Sequence, residues 1–150
     1  MIRKIEDRTI FLKFSFDKNK TKIYRKEQLK KFSKAFSKIS FSHTKSMSVV
    51  GCLNGESNIG IDIEPRSRII STNLLKRLQP QANEIKVLPI ELWCMMEAAY
   101  KSNKKIQKDH FIGFRFKNDG RSFRLINKNT NIICKRFKYK DFVYAVALSR

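Results

Sequence analysis

The stretch from Ile59 to Glu64 reads Ile-Gly-Ile-Asp-Ile-Glu, and it constrains the fold more tightly than any other part of the chain. An apolar residue at every second position is the period of a β-strand. Ile59, Ile61 and Ile63 then share one face, and Gly60, Asp62 and Glu64 share the other. Burying the isoleucines leaves two carboxylates one pleat apart on the opposite side. Like charges that close repel unless a cation or a proton lies between them. Further along, Trp93-Cys94-Met95-Met96-Glu97-Ala98-Ala99-Tyr100-Lys101 reads as a helix, with Trp93, Glu97 and Lys101 at i, i+4 and i+8 on one side. A third carboxylate and a cation thus share a helical face. Asp62, Glu64 and Glu97 together suit an oxygen-rich Mg²⁺ site, whose ion would hold a phosphate-bearing ligand.

The rest of the chain surrounds this stretch with positive charge. Of 150 residues, 33 are Lys or Arg and 13 are Asp or Glu, a net charge of +20. Residues 1–50 carry 14 basic and 4 acidic side chains (+10), residues 51–100 carry 5 and 6 (−1), and residues 101–150 carry 14 and 3 (+11). Two basic flanks enclose a middle that holds the carboxylates. Such a surface attracts polyanions: a phosphorylated cofactor, an acidic protein, nucleic acid or an anionic membrane. The length suits one domain, or two very small ones, and is enough to bury a core. Cys52, Cys94 and Cys134 are odd in number, widely spaced and free of any CxxC pattern, which argues against a disulfide framework or a zinc site and for a reducing compartment. No N-terminal run reads as a signal peptide and no window reaches the roughly 18 apolar residues of a membrane span. The expectation is a soluble, cytoplasmic protein with no membrane partner.

In chain order, Thr9–Phe16 reads as a strand, and Arg25–Lys38 as a helix with Leu29, Phe32 and Phe36 on one face and Lys26, Lys30, Lys34 and Lys38 on another. That lysine row is either a solvated face or a docking surface for phosphate or an acidic partner. Ile39–His43 and Met47–Leu53 read as strands around a polar turn at Thr44-Lys45-Ser46. Residues 54–58 form a turn, and Pro65, which has no N–H to donate, ends the strand that starts at Ile59. Ser71–Leu78 reads as a short helix capped by Ser71 or Thr72. Pro80 and Pro89 bracket an irregular piece before the helix Ile90–Ser102. Phe111–Lys117 and Ser122–Asn127 alternate around the hairpin turn Asn118-Asp119-Gly120. A second turn at Asn129-Thr130-Asn131 leads into strands Ile132–Phe137 and Phe142–Leu148. No internal repeat, low-complexity tract or flexible linker is present.

Gly-Ile-Asp-Ile-Glu at 60–64 followed by Trp-x-x-x-Glu-Ala-x-x-Lys at 93–101 resembles the signature pair of the 4′-phosphopantetheinyl transferases. Ser42-His43-Thr44 resembles the Ser-His-Ser element that precedes the Gly-Ile-Asp strand in the longer, surfactin-synthetase-type branch. Order and rough distances match over about residues 40 to 148. The resemblance implies an α+β fold, a mainly antiparallel sheet packed against a long helix, with a shortened N-terminal lobe at residues 1–56 and a C-terminal lobe at 57–150 carrying the metal and catalytic motifs. It implies transfer of 4′-phosphopantetheine from coenzyme A to a serine of an acidic acyl or peptidyl carrier protein. Asp62, Glu64 and Glu97 would bind Mg²⁺, Glu97 would act as base, Lys101 would face the phosphates, and Ser42 and His43 would contact the 3′-phosphate of coenzyme A.

Three departures from the pattern stand out. The lysine that precedes the helix glutamate in the family is Met96 here. Asp62 and Glu97 are 35 residues apart, short for the branch. The region before His43 is about half the family's length, which removes much of the expected adenine pocket. Met and Lys are both unbranched and good helix formers, so Met96→Lys is expected to raise turnover at little cost in stability. Two other readings remain: a relative that binds coenzyme A or a carrier protein without catalysis, and a basic nucleic-acid-binding protein built on the interleaved Phe and Lys segments. Each site residue also has a plainer role. Any carboxylate here could simply pair with one of the 33 basic residues, and Lys101 could be an i,i+4 partner of Glu97. His43 could be a surface or core histidine, and Trp93 a core anchor for its helix.

Overall fold

The computed structural model describes residues 1–5, 7–16, 22–103, 113–126 and 130–150, with side chains in the first helix described from residue 26 onward. Over these residues the chain is α+β, with two antiparallel sheets and three helices. The first sheet is built from β1 (Ile2–Ile5), β2 (Arg8–Phe16), β3 (Lys38–His43) and β4 (Met47–Leu53), in the order β1-β2-β4-β3. Helix α1 (Lys22–Phe32) joins β2 to β3. The second sheet contains β5 (Asn58–Pro65), β6 (Phe116–Asn118), β7 (Phe123–Leu125), β8 (Ile132–Tyr139) and β9 (Phe142–Ser149), in the order β5-β9-β8-β7-β6. Between β5 and β6 come α2 (Thr72–Glu84) and α3 (Pro89–Ser102).

The five-stranded sheet is the middle layer, and its alternating residues serve two cores. On one side Val143, Ala145, Ala147 and Cys134 pack against Leu92, Met95, Met96 and Ala99 of α3 and Leu78 and Ala82 of α2. On the other, Ile59, Ile61, Ile63, Tyr144 and Val146 pack against Ile10, Leu12, Met47 and Val49 of the first sheet. A strand covered on both faces reads as an apolar run rather than a clean alternation. That is the pattern of Phe142–Leu148, seven residues with no charge. Helix α1 lies on the far side of the four-stranded sheet, where the ring of its last residue, Phe32, is 5.8 Å from Lys13 Nζ, and Phe36 just beyond it meets Phe11 with ring centroids 5.1 Å apart.

Several element boundaries differ from the sequence expectation for identifiable reasons. The first helix spans Lys22–Phe32, not Arg25–Lys38. Phe36 N–H turns back to the Phe32 carbonyl, Ser33 Oγ donates to the Lys30 carbonyl, and Lys38 belongs to β3. The row Lys26, Lys30, Lys34 and Lys38 is therefore not one helical face. Helix α2 runs through Pro80 to Glu84, because Pro80 is on its exposed side while Leu78, Gln81 and Ala82 continue the buried stripe. Ser71 caps it, accepting from Leu74 N–H at 3.4 Å. Helix α3 has 14 residues against 13 in α2, so no single long helix dominates. Strand β1 carries no clear sequence signal, since only Ile5 of its four residues is buried. The hairpin turn after Asn118 is present: Gly120 has φ +79°, and its N–H donates to Asn118 Oδ1 at 2.8 Å. The start of the expected strand Phe111–Lys117, the end of Ser122–Asn127 and the Asn129 position of the second turn lie outside the described residues.

Candidate functional site

Three of the neighbours of strand β5 each set part of the site. Strand β9 pairs with it in register, Asp62 opposite Ala145 and Glu64 opposite Val143. Helix α3 lies directly across its Gly60, Asp62 and Glu64 face. A Cβ built on Gly60 would stand 1.9 Å from the Ala98 carbonyl oxygen and 2.5 Å from Ser102 N. Only glycine admits the helix this close. The carboxylate face is consequently covered: Asp62 is 5% exposed and Glu64 8%. Along its other edge β5 runs beside β3 without a ladder, and serine side chains bridge the two strands. Ser40 Oγ accepts from Ile61 N–H at 2.9 Å, and Ser42 Oγ donates to Asp62 Oδ1 at 2.8 Å.

The outer stripe of α3 follows the i, i+4, i+8 spacing, with Pro89, Trp93, Glu97, Tyr100 and Lys101 half-buried and the rest of the helix buried. Lys101 Nζ reaches Asp62 Oδ1 at 2.6 Å and Ser42 Oγ at 3.3 Å. Lys101 therefore ties α3 to a strand carboxylate and to a hydroxyl from the other sheet, a longer reach than a pairing within its own helix. Glu64 pairs with Arg68, which sits in the turn after β5, its N–H on the Pro65 carbonyl at 3.0 Å. Burial pushes the Glu64 carboxyl above its ordinary value, and the neighbouring Asp62 charge pushes it the same way, while hydrogen bonds from Arg68 and Trp93 pull it down. Arg68 is held above its ordinary value, first by its hydrogen bond to Glu64 and also by the charges of Asp62 and Glu97. Cys94, wholly enclosed behind Asp62, has its thiol pushed well up by burial and by the Asp62 and Glu64 charges.

A cleft of about 840 Å³ opens between β3, the start of β5 and the end of α3. Its lining includes Ser42, His43, Asp62 and Lys101, joined by Lys38 and Leu29. Four of the six residues singled out in the sequence thus meet in one concavity of a size usual for small-molecule sites. Glu64 and Glu97 are not among its lining residues. His43 is exposed at the end of β3 with its ring 5.7 Å from that of Phe41. Trp93 packs at the edge of the helix–sheet core.

The expected three-carboxylate cluster is not formed: among the described residues, no three His, Cys, Asp or Glu side chains come together as a metal-holding group. Two carboxylates nonetheless suit Mg²⁺. Asp62 Oδ2 is buried and has no hydrogen-bond partner among the described residues, and Glu64 lies next to it on the same face. Mg²⁺ is commonly held by one or two carboxylates together with ligand phosphates and water. Met96 is 1% exposed in the core between α3 and the sheet, so position 96 does not face the site as the resembled pattern implies. Sequence reasoning does not single out Ser40, Arg68 or Cys94. Ser40 and Ser42 have a findable signal as the polar alternate positions of β3, but an i+4 pair across a strand end and a proline, as in Glu64 and Arg68, has no periodic one. No described helix is long and apolar enough to cross a membrane. A scan against protein-family models and a search of curated proteins return no match to this chain.

Proposed function

We propose that this protein is a 4′-phosphopantetheinyl transferase, taking coenzyme A as donor and a serine of an acidic carrier protein as acceptor. The observation that carries the reading is the cleft in which Ser42, His43, Asp62 and Lys101 converge. On this reading the phosphates of coenzyme A enter beside Lys101, and Lys38 and His43 lie further along the cleft as partners for the 3′-phosphate. Asp62 and Glu64 are the residues that would hold Mg²⁺. The ion would supply charge stabilisation for the phosphate oxygens.

The chain's own groups account for the remaining steps. The carrier serine oxygen bonds to the phosphorus next to pantetheine, the bond from that phosphorus to the 3′,5′-ADP oxygen breaks, and 3′,5′-ADP leaves. Glu97, one turn before Lys101 on the half-exposed stripe, takes the serine proton directly or through a water. Ser42 orients Asp62 and Lys101 at once, donating to one and accepting from the other. The net charge of +20 favours both a polyanionic donor and an acidic acceptor, and binding of the acceptor should weaken steeply with salt.

The test is mass spectrometry of a panel of apo carrier proteins incubated with this protein, coenzyme A and Mg²⁺. A mass gain of one phosphopantetheine on serine, abolished in Glu97→Gln, is the expected result. One observation favours a second reading, a binding protein without transfer: Met96 is buried, so no cation stands at the position where the resembled pattern has one. Coenzyme A binding by calorimetry with no mass gain on any carrier protein would select it. Tighter binding of nucleic acid than of any carrier protein at physiological salt would overturn both.

A further inference from the structure

Among the charged groups of the site, Arg68 has a place that the transfer reading leaves unused. Its guanidinium pairs with Glu64 and lies within the fields of Asp62 and Glu97 as well. All three carboxylates expected to surround a metal ion thus act on one organic cation. Asp62 is held from the cleft side through Oδ1, while its other oxygen is buried and unpartnered among the described residues. Arg68 therefore satisfies Glu64 and leaves unmet the acceptor that a small divalent ion would use.

The two partners of this pair are unequally placed. The Glu64 side chain is 11% exposed and that of Arg68 45%. Arg68 is carried on a turn, and its head can pass into water without moving a helix or a strand. A divalent ion brings twice the charge and can take oxygens from both carboxylates. We propose that Arg68 is a built-in counter-cation for the carboxylate pair, which an incoming divalent ion must displace, so that this residue sets the affinity of the site for the ion. The inference rests on the metal-holding part of the proposed function. Once displaced, the guanidinium remains tethered beside the site, where its planar fork suits a ligand phosphate. Ion and phosphate ligand are then coupled: each makes room for the other, and each raises the other's affinity by the same factor.

The experiment is isothermal calorimetry of Mg²⁺ alone, then Mg²⁺ in the presence of coenzyme A, with wild type, Arg68→Gln and Arg68→Lys. Arg68→Gln should bind Mg²⁺ alone about tenfold more tightly than wild type, and the enhancement of Mg²⁺ affinity by coenzyme A should shrink. Arg68→Lys keeps a charge but not the fork, and should bind Mg²⁺ alone nearly as weakly as wild type while losing part of the coupling. Thermal melts of each variant establish that the fold is retained. Equal or weaker Mg²⁺ binding in Arg68→Gln than in wild type overturns the counter-cation role and leaves the metal site standing. Absence of Mg²⁺ binding in all three proteins, with and without coenzyme A, overturns the metal site and this inference together.

Discussion

Asp62 and Glu64 are two residues apart on one face of β5, yet they are neutralised in different ways. Asp62 is met by Lys101 from α3 and Ser42 from β3, two elements whose backbones are packed into the body of the protein. Glu64 is met by Arg68 from the turn that follows its own strand. The Lys101 side chain is 29% exposed and that of Arg68 45%. The cation at the Asp62 end is therefore fixed by tertiary packing and the cation at the Glu64 end by a local tether, although Trp93 of α3 also hydrogen-bonds Glu64. Disturbing the packing should collapse the first, whereas changing one side chain should retune the second.

The strongest way to break the contrast is to unseat α3. Met96→Lys would place an ammonium in the core between α3 and the sheet, where Met96 is 1% exposed. Burying a charge there is expected to cost on the order of 4 kcal/mol, the equivalent of about three pKa units of desolvation. The prediction is a large drop in stability in urea melts together with failure to bind coenzyme A, the reverse of the expectation from helix propensity. A variant as stable as wild type with raised turnover would mean that α3 can rotate to expose position 96. Next in size is Gly60→Ala. The added methyl would overlap the Ala98 carbonyl oxygen, and backbone cannot yield as a side-chain tip can. A destabilisation of about 3 kcal/mol is expected, at the upper end for overpacking, and the displaced helix should carry Lys101 away from Asp62.

These two cases show where the sequence is legible. The alternation of Ile59–Glu64 identifies the strand and its two faces, and the i, i+4, i+8 stripe names half-buried positions of α3. Both signals are local and periodic. What periodicity does not encode is the distance between layers. Ile59–Glu64 has the pattern of a strand with one open face, but Gly60 lets α3 cover that face, so the carboxylates are buried and each has its own cation. Met96 is in a motif position associated with charge, yet the helix phase that turns Glu97 and Lys101 outward turns residue 96 into the core. Arg68 lies beyond a proline with no periodicity to mark it. The shared core of the two sheets likewise depends on packing between residues such as Leu12 and Ile61, far apart in the chain.

The site itself is probed by Asp62→Asn. The amide keeps the shape and its oxygen can still accept from Lys101 and Ser42, so the fold should hold. The negative charge at the packed end is gone. Mg²⁺-dependent affinity for coenzyme A should fall about tenfold, roughly 1.4 kcal/mol, while binding in EDTA changes little. Glu64→Gln should cost less, because Arg68 is then released to meet the phosphates. Equal affinity of wild type in EDTA and in Mg²⁺ would remove the metal from the mechanism. A larger effect in Glu64→Gln than in Asp62→Asn would invert the contrast between the two ends.

The smallest expected effect is in the pH dependence of stability. Burial and the Asp62 charge hold the folded-state pKa of Glu64 above its ordinary 4.5, against the pull of Arg68 and Trp93. The folded protein therefore keeps this proton more firmly than the unfolded chain does. By linkage, the contribution of Glu64 is most favourable below pH 4.5 and declines as pH rises from 4.5 through the raised folded value, above which the decline is complete. Glu64→Gln does not titrate, so its stability relative to wild type should rise across that window and then level off. The pair with Arg68 opposes the shift. Arg68→Gln should consequently raise the folded pKa further and extend the decline to higher pH. Urea midpoints of wild type and the two variants, measured from about pH 4 to about pH 8 without divalent ions, test both statements. A constant offset between wild type and Glu64→Gln over that range would mean that Glu64 has the same pKa folded and unfolded.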